Sequence, residues 1–162
     1  MRPFCALLVV ALLAVCGRGA IAAELRMGPT RIAQGLPLGD SVVVTVDVVT
    51  QNRSFPWADR MWGSERGYPV TRHVSDLRIR WGRRKVDVWL SAYADLGDPR
   101  SIKFVEVKKG ISLQIQGGET ATDYEAQFFV ENGVLVHRRV SLGELPEQSW
   151  EKTRYSGPVI EK

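Results

Sequence analysis

The chain has 162 residues, 44% of them hydrophobic and 25% charged, with 22 basic against 18 acidic side chains and a formal net charge of +4. That length builds one domain with a substantial core and leaves too little for two ordinary ones. The charge excess is small, which argues against a nucleic-acid partner, because proteins that bind polyphosphate usually carry a much stronger basic surplus.

Met1 and Arg2 precede an uninterrupted apolar run from Phe4 to Cys16, which Gly17, Arg18 and Gly19 bring to an end. A spanning helix needs about 20 apolar residues to cross roughly 30 Å of hydrocarbon, so this run reads as the apolar part of an export signal and not as an anchor. Ala20-Ile21-Ala22 presents small side chains at the two positions a signal peptidase reads. The expected cut therefore follows Ala22, making residues 1–22 a signal peptide and the destination the periplasm or the extracellular space. Arg2 and Arg18 leave with it, so the mature chain carries 20 basic residues against 18 acidic.

Cys16 stands where a lipoprotein would be acylated, but Val15 occupies the place where that signal requires a small residue, and lipid anchoring is not expected. Cys5 and Cys16 are the only cysteines. The mature domain thus has no disulfide, and its hydrophobic core alone has to hold it together.

Residues 23–155 read as a single β-domain, with no repeat, linker or low-complexity tract, and 156–162 as a frayed tail. Ser41 to Thr50 is rich in valine and threonine, whose branched side chains suit a pleated sheet, and its apolar character on both faces suggests a central strand. Leu77, Ile79 and Trp81 alternate with arginines. After Gly82-Arg83-Arg84-Lys85 the alternation resumes at Val86, Val88 and Leu90, which predicts a hairpin.

A second hairpin runs from Ile102 to Val107, turns at Lys108-Lys109-Gly110 and returns through Ile111, Leu113 and Ile115. The third pairs Tyr124, Ala126, Phe128 and Val130 with Val134, Val136 and Val140 across Asn132-Gly133, a dipeptide that tolerates the positive φ of a tight turn. Beyond Pro146, the chain to Tyr155 reads as a helical turn or an edge strand. These elements predict an all-β domain, an antiparallel β-sandwich or meander-type barrel of about seven to eight strands.

The segment from Gln51 to His73 breaks the alternation yet carries Phe55, Trp57, Met61, Trp62 and Tyr68. Structureless loops longer than about 12 to 15 residues are uncommon in compact domains and are often functional. Aromatic rings among Arg60, Arg66 and other charged residues are the material of a surface for a protein or glycan of the cell envelope, so Trp57, Trp62, Tyr68, Arg60 and Arg66 form the candidate binding set. The competing reading makes Trp57 and Trp62 a lid over an open end of the core.

Asp95, Asp98, Glu119 and Asp123 are the carboxylates from which a hydrolase of envelope polymer would draw an acid pair. They match no calcium loop, and as turn residues they have ordinary backbone partners. His73 and His137 stand in no metal-ligand spacing, and the chain has no nucleophile elbow, phosphate loop or zinc-protease helix. No cofactor, metal or catalytic residue is expected. The basic runs Arg78 to Lys85 and His137-Arg138-Arg139 read as solvated strand faces. The sequence therefore points to a non-catalytic binding domain, with a hydrolase and a subunit assembled through strand edges as alternatives.

Overall fold

A computed structural model describes residues 21–36, 39–51, 58, 60–65, 68–145 and 147–155. The expected signal peptide, apart from Ile21 and Ala22, lies outside the described residues, as do Trp57, Arg66 and the tail. Among the described residues ten strands follow one another: β1 (Ala22–Glu24), β2 (Gly28–Gly35), β3 (Ser41–Thr50), β4 (Arg72–Trp81), β5 (Arg84–Val86), β6 (Pro99–Val107), β7 (Gly110–Gly117), β8 (Tyr124–Glu131), β9 (Val134–Leu142) and β10 (Ser149–Arg154). They form two antiparallel sheets, a large one ordered β1-β6-β7-β8-β9-β10 and a small one ordered β2-β3-β4-β5. Neither sheet closes on itself or on the other.

Alternation places the core. Val42, Val44, Val46 and Val48 of β3 are fully buried and belong to one apolar cluster with Leu77 and Ile79 of β4, Ile102 and Phe104 of β6, Leu113 and Ile115 of β7, and Phe128 and Val130 of β8. Both sheets thus bury one face in a shared interior. At about 25 cal/mol per Å² of apolar surface removed from water, this burial is the main stabilising term of the described residues, which contain no cysteine.

The strand count exceeds the expected seven or eight because short and polar strands leave little periodic signal. β2 directs a single buried apolar residue, Ile32, into the core. In the first expected hairpin the return strand ends at Val86. Val88 is only partly buried, and Leu90, exposed, opens a 3-10 turn over Leu90–Ala92. The Asn132-Gly133 hairpin forms as anticipated, with φ of +50° and +80° at the two turn residues.

A bulge two residues beyond that turn resets the phase of β9. Phe129 pairs with His137 and Val130 with Leu135, so Leu135 and not Val134 points inward. Arg138 then faces the core and is 1% exposed, which corrects the reading of His137-Arg138-Arg139 as a wholly solvated face.

At the amino end, the amide of Phe104 donates to the carbonyl of Ile21 at 2.8 Å, and Ile21 packs partly against the core. The expected cleavage point after Ala22 falls one residue inside β1.

Candidate functional site

The connection from β3 to β4 is fixed to the loop that precedes β6. The amide of Trp62 donates to the carbonyl of Asp95 at 2.8 Å, and the amide of Gly97 donates to the carbonyl of Trp62 at 2.9 Å, a parallel bridge between two irregular segments. The indole lies 6.4 Å from the ring of Tyr124, tilted by 47°, and packs against the core with part of its surface exposed. Ala58, Met61 and Val70 from the same connection are buried. Gly63 has φ +87°, and a Cβ there would lie 2.8 Å from the Gly97 carbonyl oxygen, so the close approach of the two segments requires glycine.

Past Gly63, Glu65 and Tyr68 form an antiparallel bridge at the tip of the connection. Ser64 Oγ donates to the Met61 carbonyl at 2.6 Å. The amides of Glu65 and Tyr68 each donate to the other's carbonyl, at 3.2 and 2.8 Å. The return leg is held by Asp98, whose carboxylate accepts from the Thr71 amide at 3.0 Å, the Thr71 hydroxyl at 2.8 Å and the Arg72 amide at 3.1 Å. Asp98 itself adopts φ +41°, the left-handed region, which Asp tolerates better than most residues. Tyr68 is left on this anchored tip with 75% of its surface exposed.

Opposite stands the turn between β7 and β8. The hydroxyl of Thr122 accepts from the Glu119 amide at 3.1 Å, and the Thr122 amide donates to the Glu119 carbonyl at 2.7 Å. Tip and turn enclose an open cleft of about 590 Å³ lined by Glu65, Tyr68, Thr71, Glu119, Thr120 and Thr122, among others. Hydroxyls and the three carboxylates of Glu65, Asp98 and Glu119 line the walls, and one aromatic ring stands among them.

Of the five candidate residues, Tyr68 lines this cleft. Trp62 is turned toward the core, and Arg60 is exposed but not part of the lining. Trp57 and Arg66 fall outside the described residues. Thr71, Thr120 and Thr122 join the site although nothing in their local sequence marks them. The Gly117-Gly118 pair was the available signal, since Gly118 takes φ +77° where the chain leaves β7 for the turn that forms the far wall.

The four loop carboxylates go to different partners. Asp95 pairs with Arg138 at 2.8 Å, Asp123 with Arg100, and Asp98 with the backbone of the return leg; Asp98 and Glu119 both line the cleft. Three of the four are thus engaged in holding the fold. Among the described residues no group of three or more His, Cys, Asp or Glu is arranged to hold a metal ion, and no helix is long and apolar enough to cross a membrane.

Arg138 binds the remaining loop to the sheet. Its guanidinium donates to the Ser91 carbonyl at 3.2 Å and to Asp95, and Glu151 of β10 lies 3.8 Å away. A buried cation has to be compensated by such partners, so the pairing fixes the 91–95 segment and β10 against β9. Trp89 stacks on Tyr155 beside it, with ring centroids 5.2 Å apart. Burial raises the phenol pKa of Tyr155, and full burial pushes that of Tyr124 far up; the Tyr124 hydroxyl donates to the Gly97 carbonyl at 2.9 Å. Both phenols are neutral at any physiological pH, and Tyr124 is a structural donor.

Comparison with protein-family models, with curated protein sequences and with solved structures gives no match.

Proposed function

We propose that this chain is a non-catalytic binding domain of an exported protein, and that it seats a glycan of the cell envelope in the cleft between the Tyr68 tip and the Glu119–Thr122 turn. The observation that carries the reading is the exposure of Tyr68 on a tip whose backbone is fixed on both sides. A large ring held in water by a rigid scaffold offers contact area at little entropic cost, and hydroxyls and carboxylates around it complement the hydroxyls of a sugar. Trp62 serves as the lid that carries the tip, so the two aromatic readings apply to different residues of one loop. Export rests on the apolar run from Phe4 to Cys16 and the small residues at Ala20 and Ala22. Two sheets with a common interior and no strand pairing between them favour a sandwich over a barrel.

Co-sedimentation of the purified protein with insoluble envelope polysaccharide is the test. Wild type should sediment with the polymer, and Tyr68→Ala should stay in the supernatant with an unchanged melting temperature. Equal sedimentation of the two proteins would remove the cleft from consideration.

A further inference from the structure

We infer that the outer face of the small sheet is a second binding surface, and that its ligand is an acidic polysaccharide. The register builds it. Arg31 of β2, Thr45 of β3 and Arg78 of β4 form one cross-strand row, and Ala33, Val43, Arg80 and Lys85 form the next. In the middle strand this face carries the short side chains of Val43 and Thr45, flanked by longer cationic ones. The result is a shallow groove of about 480 Å³ lined by Arg31, Val43, Thr45, Arg78, Arg80 and Lys85, together with Ile79. Strand spacing of about 4.8 Å and a two-residue step of about 6.7 Å place the charges on a regular grid along it.

The pairing works against the fold's own stability. Arg80 stands directly opposite Lys85, and like charges in register repel. Asp47 and Asp76, themselves opposite one another, close one end of the face, and Asp76 binds Arg78 at 2.8 Å. Among the described ion pairs none involves Arg31, Arg80 or Lys85. Three exposed cations are therefore left facing a groove without an acidic partner, an arrangement that an anionic ligand would relieve.

The shape and the lining select the class of polyanion. The lining holds no aromatic ring to stack a base, and its one long apolar residue, Ile79, is buried toward the core. Among the described residues lining the groove, none is long, apolar and outward-facing enough to enter a bilayer. An extended chain with carboxylate, sulfate or phosphate groups fits a groove with a short-chain floor, and Arg, with its planar fork, suits such oxyanions. This surface is distinct from the Tyr68 cleft, with which it shares no lining residue.

The test is calorimetric titration of the purified protein with heparin and polygalacturonate oligosaccharides, with uncharged dextran, single-stranded oligonucleotide and anionic lipid vesicles as competing probes. The acidic oligosaccharides should bind, with affinity falling at least roughly tenfold as salt rises from about 50 to about 200 mM. The double variant Arg31→Gln/Arg80→Gln should lose at least roughly tenfold in affinity at low salt while its melting temperature holds or rises, and Tyr68→Ala should bind as wild type does. Binding unchanged in the double variant, or tighter binding to dextran, oligonucleotide or vesicles than to the acidic sugars, overturns the inference. Loss of acidic-sugar binding in Tyr68→Ala alone would assign that ligand to the cleft instead.

Discussion

On the outer face of the large sheet, Glu125 accepts from the side-chain amides of Gln116 and Gln127, and Ser101 donates to Gln116 at 3.3 Å. On the outer face of the small sheet, Arg80 stands across from Lys85, and no ion pair of the described residues involves either. Both faces are polar, and alternation makes both. The first is centred on an internal network, and Glu125 and Gln127 are buried among their neighbours although they point away from the core. The second carries a surplus of one charge sign. The difference separates polar side chains that the fold pairs internally from charged ones that it leaves without an ion pair.

The largest effects are expected where internal polar pairing is broken. Asp95→Ala leaves the buried Arg138 without its nearest carboxylate and should cost about 3 kcal/mol in a denaturant titration, because an uncompensated buried charge is costly. Glu125→Ala removes the acceptor of two amides and should cost about 1 to 2 kcal/mol by the same measurement. Arg80→Gln on the small sheet should change stability by less than about 0.5 kcal/mol, because Arg80 is exposed and in no ion pair of the described residues. If Arg80→Gln proved as damaging as Glu125→Ala, the contrast between the faces would vanish.

Acid sharpens the same contrast. His137, stacked on Phe129 with centroids 4.0 Å apart, has its pKa lowered by burial of the ring and then by the Lys152 ammonium, partly offset by Glu131; His73 is lowered by burial. As pH falls through the unfolded value of about 6.5, the unfolded chain takes up protons that the folded chain does not. Stability is therefore complete above that pH and declines as pH falls toward the lower folded values. Thermal melts at pH 7.5 and 5.5 should show a drop that His137→Gln reduces, and a flat profile in wild type would contradict the assignment.

Sequence reading reached the elements whose signal is local. The valine-rich β3 and the Asn132-Gly133 turn were legible because β-branched side chains and left-handed turn residues act at their own positions. β2 was not, since Ile32 alone marks its inner face. The burial of Arg138 was hidden for a different reason. Alternation counted through Val134, Val136 and Val140 puts position 138 on the inner face, but an arginine between His137 and Arg139 reads as solvated unless its partners Asp95 and Glu151, distant in sequence or on another strand, are known; the residue the bulge misplaces is Val134, since Leu135 points inward in its stead. In the cleft, Tyr68 was visible as an aromatic residue in an irregular loop, whereas Thr120 and Thr122 come from a turn about 50 residues away and meet it only through the fold. The same loop's Trp62 shows that aromatic content without geometry does not distinguish a lid from a contact residue.

Amide chemical-shift mapping of the isotope-labelled protein, titrated with soluble fragments of envelope polysaccharide, tests the central assignment most directly. Perturbations concentrated at Gly63 to Thr71 and Gly118 to Thr122 are the expected result. Shifts confined to the large sheet's outer face, with the Tyr68 tip unmoved, would contradict it.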